Sequence, residues 1–230
     1  MFLTLIIVEL VVLLVLVVFT AAILLQRRRV HDVVPAPEGT ANPSLYFKIM
    51  NDTARLAGFQ SGGWFRPKSG ADQFPIALWL SPDGKTILWI SAGRYLGFLR
   101  YRRSLLMSKV SDEKFIITAD DFVMGDLVGL REVEIVKNAD LAELTRRHSQ
   151  RLALMMRPEP KTFSSGSLLW EMEDMMQRYV DKLAACGLGK YLGPDRDEWR
   201  FTGRGAWFFW RRAASVVFRS SAGGRRKPGT

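Results

Sequence analysis

The stretch from Ile76 to Ile90, IALWLSPDGKTILWI, places two apolar runs on either side of Ser81-Pro82-Asp83-Gly84. Pro82 suits the second position of a type I turn and Gly84 its exit, so the segment reads as a β-hairpin. Both faces of the two strands, Ile76 to Leu80 and Thr86 to Ile90, are apolar. A hairpin of that kind belongs inside a sheet covered on both sides. A second pair follows, Ser104 to Val110 and Phe115 to Thr118 around Ser111-Asp112-Glu113-Lys114, with 93–103 linking the pairs as a further strand. Leu130 to Val136 alternates Val133 and Ile135 with Glu132 and Glu134, the pattern of a half-exposed strand near a sheet edge.

Helices flank this sheet. Asn42-Pro43 offers a cap and a first-turn ring, and Tyr46, Ile49, Met50, Thr53 and Ala57 recur on one face up to Gly58, so a helix is expected over 44–57. Gln60 to Gln73 is rich in Gly and lacks periodicity, and it reads as a loop. Asn138 can cap a helix whose first turn holds Asp140 and Glu143 and whose later turns hold Arg146, Arg147 and Arg151, an order that suits the macrodipole. Leu141, Leu144, His148, Leu152 and Met155 form its inward stripe. Beyond Pro158 and Pro160 a helix is expected over 167–186, with Leu168, Leu169, Met172, Met175, Met176, Tyr179 and Leu183 inward and Gly187 at its end. This order implies an α+β fold, an antiparallel sheet of four to five strands with helices packed on one face.

At the amino terminus, Phe2 to Leu25 is apolar except for Thr4, Glu9 and Thr20 and runs into Arg27, Arg28 and Arg29. A helix of that length spans about 36 Å, enough to cross a hydrocarbon core, so a transmembrane helix is expected. A cleaved signal would need a basic n-region, and no Lys or Arg precedes the run. With Arg27, Arg28 and Arg29 as the membrane flank, the positive-inside bias places the following domain in the cytoplasm as a single-pass protein of the cell membrane. The resulting division is an anchor and flank over 1–29, a linker over 30–42 with Pro35 and Pro37, an α+β domain over 43–187, and a basic aromatic extension over 188–230.

The formal net charge is +10, concentrated in Arg94, Arg100, Arg102 and Arg103 and in nine Lys or Arg between Arg196 and Thr230. Nucleic acid and anionic lipid are both attracted by such charge, and an anchor would make lipid the nearer polyanion. Cys186 is the single cysteine, which excludes an internal disulfide and a multi-cysteine zinc site. His31 adjoins the Arg run and reads as solvated; His148 reads as a half-buried histidine of the helix stripe. Asp120, Asp121 and Asp126 form a carboxylate cluster, but with Gly125 they meet only one part of a calcium-loop pattern, and capping of a strand end explains them too. Walker A, dinucleotide-fingerprint, zincin and nucleophile-elbow patterns are missing from the sequence, and no cofactor is implied.

Five of nine methionines fall on the two later helices, as core or as an adaptable groove. In the tail, helical spacing would put Trp207, Trp210 and Phe218 on one side and Arg211 and Arg219 on another, and these residues with Arg212 are the candidate contacts for lipid or a partner. Aromatics opposite Arg suit a helix lying in a lipid interface; a terminal element packed on the domain explains the same residues. The expectation is a membrane-anchored interaction or scaffolding module whose basic tail binds lipid or an acidic partner. The alternative is an enzyme with a cleft holding His148, Asp120, Asp121 and Asp126.

Overall fold

The computed structural model describes residues 26–30, 33–37, 44–68, 75–95, 99–121, 126–155 and 159–211, with isolated positions before residue 26. The chain divides into two compact units, one of His31–Met176 and one of Met1–Val30 with Gln177–Thr230.

The larger unit is a seven-stranded sheet in the order β2-β3-β4-β5-β6-β7-β8. Its strands are β2 (Val33–Pro35), β3 (Gln60–Pro67), β4 (Ile76–Leu80), β5 (Ile87–Tyr95), β6 (Leu99–Ser111), β7 (Lys114–Ala119) and β8 (Arg131–Ile135). All neighbours are antiparallel except β7 and β8, which run parallel, so the expected four to five antiparallel strands are corrected to a larger, mixed sheet. The β4–β5 hairpin stands where the apolar runs place it, and all five residues of β4 are buried. Gly84 N donates to Ser81 O at 2.9 Å and takes φ +71°, closing the turn.

Two extra strands come from segments that read as linker and loop. β2 pairs Val34 with Arg66, and β3 pairs with β4 through a bulge between Ser61 and Gly63. A Cβ on Gly62 would lie 2.2 Å from Leu168 Cδ1, so one of the glycines that hid the strand is also what lets Leu168 approach it.

Helices α1 (Leu45–Leu56) and α2 (Leu141–Leu154) cover one face of the sheet. Ser44 Oγ caps α1 by accepting from Phe47 N at 3.3 Å, and Gly58 follows its end at φ +80°. The buried stripe of α1 is Phe47, Met50, Asn51 and Ala54, so the expected face was rotated and Ile49 stands exposed. Asp140, rather than Asn138, caps α2, its Oδ1 accepting from Glu143 N at 2.8 Å. Phe47, Met50 and Ala54 pack with Leu141 and Leu144 over Trp79, Leu88, Ile90 and Leu106. Each of the larger of these side chains, Phe, Met, Leu or Ile, stabilises the fold by about 1.5–3 kcal/mol through burial.

Helices do not lie on one face only. Lys109 follows Ser108 on β6 and therefore points to the opposite face. There its Nζ lies 3.6 Å from Glu171 and 3.9 Å from Asp174, on helix α3 (Leu168–Ala185). The first half of α3, with Leu168, Met172 and Met175 buried, thus covers the second face.

The smaller unit is built on a three-stranded antiparallel sheet, β1 (Arg28–Arg29), β10 (Glu198–Phe201) and β9 (Gly189–Tyr191), in the order β1-β10-β9. Tyr179, Val180 and Leu183 from the second half of α3 are buried, as are Leu188, Trp199, Phe201 and Ala206. A last helix, α4, occupies 203–211.

Among the described residues no helix is long and apolar enough to cross a membrane. This corrects the expectation of a transmembrane helix, a signal anchor and a single-pass membrane protein. Of the segment Phe2–Leu25, only Ile7, Glu9, Val17, Thr20, Ala21 and Leu24 are described, and the rest lies outside the described residues. The physical reason for the misreading is visible at its border. The arginines that resemble a membrane flank form a sheet edge: Arg28 pairs with Trp199 and Arg29 with Glu198, and Val30 N donates to Asp197 O at 2.9 Å.

Candidate functional site

On the face of β6 that α1 and α2 cover, the alternate residues are Ser104, Leu106 and Ser108, two buried serines on either side of a core leucine. The two serines nucleate two separate buried polar clusters.

In the first, His148 on α2 is 2% exposed. Its Nε2 lies 3.0 Å from Ser108 Oγ and its Nδ1 3.0 Å from Thr118 Oγ1. The proton positions follow from the surrounding partners. Ser108 Oγ donates its only proton to Lys85 O at 2.8 Å, so it accepts from Thr86 Oγ1 at 2.9 Å and from the imidazole. With the proton of the neutral ring on Nε2, Nδ1 accepts from Thr118 Oγ1, which in turn accepts from Arg151 Nη1 at 3.1 Å. Arg151 also donates to Ile117 O at 2.6 Å and ion-pairs with Glu132 and Glu134 at 3.4 and 3.6 Å. The imidazole is therefore a neutral Nε2–H tautomer with both nitrogens satisfied. Burial first, and then the Arg151 charge, lower its pKa to about 3. A ring that donates to the serine cannot take that serine's proton, so Ser108 and His148 do not form a nucleophile and base pair as they stand.

In the second cluster Asp120, 6% exposed, accepts from Ser104 N at 2.7 Å with Oδ1 and from the Tyr46 hydroxyl with Oδ2. Tyr46 Oη also lies 2.6 Å from Ser104 Oγ, and Arg102 sits 5.7 Å over its ring. Burial pushes the Asp120 carboxyl up and the Tyr46 phenol well up, the latter reinforced by the carboxylate beside it. This cluster ties the start of α1 to β6 and β7. Asp121 is exposed, and Asp126 Oδ1 accepts from Val128 N at 3.0 Å in its own loop. The structure thus gives His148, Asp120 and Asp126 different partners, and among the described residues no group of three potential metal ligands forms. The sequence reading missed Ser108, Thr118, Arg151, Tyr46 and Ser104; the Ser104, Ser108 spacing within an apolar strand was the available signal.

The residues expected to contact lipid or a partner lie in the smaller unit. Thr202 Oγ1 caps α4 by accepting from Gly205 N at 3.1 Å and donates to Gly187 O at 2.7 Å. Along α4 the aromatics divide. Phe209 packs on Phe201 with centroids 5.8 Å apart, and Trp210 donates from Nε1 to Thr20 Oγ1 at 3.1 Å. Trp207 and Phe208 instead face outward, 67% and 39% exposed, with Arg204 5.9 Å over the Phe208 ring and Arg211 exposed. Arg212, Phe218 and Arg219 lie outside the described residues.

Arg27 and Arg29 share one carboxylate, Glu198. Arg29 donates to Glu198 Oε1 at 3.2 and 3.3 Å, and Arg27 lies 3.8 Å from Oε2. Arg28 lies over Trp199 and Phe201, 5.6 and 5.1 Å from the ring centroids. Compared with known proteins, the chain matches no family model, no curated protein and no solved structure.

Proposed function

We propose that the chain is a binding module and that the outer face of α4 docks on an acidic protein surface. The observation that carries this reading is Trp207, 67% exposed while Trp199 and Phe201 of the same unit are 1% exposed. Burying such a ring in a partner's pocket gains on the order of 2–3 kcal/mol, and Trp with Arg is the composition of interface anchors. Arg204 and Arg211 on the same short helix supply forked donors that suit carboxylates.

Protein is favoured over lipid because α4 turns Phe209 and Trp210 toward its own unit. A helix lying in a bilayer interface needs a broad, continuous apolar side, and among the described residues of α4 one exposed Trp and part of one Phe remain. The commitment of His148 and Asp120 to neighbouring side chains supports a module over the alternative enzyme.

The test uses the full chain and three probes: an amphipathic Leu and Glu peptide, its counterpart with Gln for Glu, and phosphatidylserine vesicles. The acidic peptide should bind and the Gln peptide should not, with Trp207→Ala weakening binding about tenfold and Arg204→Glu with Arg211→Glu abolishing it. Vesicle binding that depends on Trp207, without peptide binding, would replace the protein surface by lipid. Binding indifferent to both variants would remove α4 from the site.

A further inference from the structure

The larger unit holds a cavity of about 600 Å³ between the end of α1, the β4–β5 turn and α2, lined among others by Thr53, Phe59, Leu106, Leu141, Thr145 and His148. That volume lies within the ~300–1,000 Å³ usual for small-molecule sites. Its chemistry follows from where the polar atoms of its walls are used. Thr53 Oγ1 donates to Ile49 O at 2.8 Å and Thr145 Oγ1 to Leu141 O at 2.8 Å. Thr86 Oγ1 donates to Ser108, and both nitrogens of His148 are engaged. These side chains therefore leave methyl groups and ring carbon to the cavity, beside Phe59, Leu106 and Leu141.

Charge enters the wall at Asp83 and Arg146. Arg146 uses Nε and Nη2 on Glu143 at 2.7 and 2.6 Å, which offsets its charge. Asp83 is held differently. Its Oδ1 accepts from Ser81 Oγ at 2.5 Å and Lys85 N at 3.1 Å, both neutral donors that leave the second carboxylate oxygen for another partner. Burial pushes the Asp83 carboxyl up, but these hydrogen bonds and the Lys85 charge outweigh it and keep the group below its ordinary range. The Lys85 ammonium itself pairs with Glu159 at 3.5 Å.

The geometry points to a binding site for a small amphiphilic amine, its alkyl or aromatic body in the cavity against Phe59 and Leu106 and its ammonium on Asp83. The site is independent of α4 and stands or falls apart from the reading of that helix.

Tryptamine, tryptophol and indole-3-propionate share one aromatic body and differ in the charge of the head, so they serve as probes in saturation-transfer NMR and calorimetry on the full chain. Tryptamine should bind about tenfold more tightly than tryptophol, and indole-3-propionate should not bind. Asp83→Asn retains an oxygen for Ser81 and Lys85 N, so the turn persists, while tryptamine should lose its advantage over tryptophol. Ala142→Trp, at an exposed wall position that tolerates bulk, should abolish binding of both. Failure of tryptamine to bind, equal binding of the three probes, or binding unchanged in both variants would overturn the proposal.

Discussion

At His148 the fold holds an ionisable group in its neutral form by surrounding it. The imidazole titrates at about 3 in the folded chain against an ordinary 6.5, so the unfolded chain binds more protons throughout that interval. Stability is then fully present above pH 6.5 and is lost as pH falls toward 3, by on the order of 1.4 kcal/mol per unit. Asp120 acts in the opposite sense, because its raised carboxyl binds a proton more readily in the folded chain. Glu132 and Asp83 are lowered and lose stability only near their own, more acidic range. Urea unfolding between pH 7 and 5 should therefore show a decline that His148→Gln removes; an equal decline in that variant would locate the titrating group elsewhere. The burial of His148 is legible from its spacing with Leu141 and Leu144. Its partners are not, because Ser108 and Thr118 lie 40 and 30 residues away and reach it only through strand order.

Elements with long periodic patterns were legible, and those that rest on close approach were not. The hairpin, α2 and α3 stand within a few residues of their expected bounds because many side chains repeat the same signal. β1 has two residues and β2 three, too few for any alternation to register. Glycine misled in β3, where it reads as a loop and serves as space for Leu168. The start of α4 depends on the same device. A Cβ on Gly205 would lie 1.8 Å from Leu188 O and 3.0 Å from Phe201 Cδ1, and the first of these is backbone that cannot rotate away. Gly205→Ala should cost about 3 kcal/mol and displace α4, read as loss of amide protection in β9 and β10. Gly62→Ala meets the far end of a Leu side chain and should cost less. The reverse ranking would mean that α4 is not seated on Leu188.

Across the whole molecule, residues from the two ends of the sequence fold into the same unit. That arrangement recasts the arginine run, which looks like the border of a membrane span: Arg28 and Arg29 form β1, the edge strand that pairs with β10. An exposed pair such as Arg29 with Glu198 contributes at most about 1 kcal/mol, so β1 is held more by the burial of Val30 and by Arg28 lying over Trp199 and Phe201. Cutting the chain before Asp32, the natural choice if 1–29 were only an anchor, should therefore damage the smaller unit. Its Trp199 would lose the cover of Arg28, and Asp197 O would lose the Val30 amide. Hydrogen exchange on the shortened chain should show β9 and β10 unprotected while β4, β5 and β6 keep their protection, since every strand partner of those three lies within His31–Met176. Retained protection of β10 would show that β9 and the second half of α3 suffice to hold it, and uniform loss across both sheets would show that the two units unfold as one.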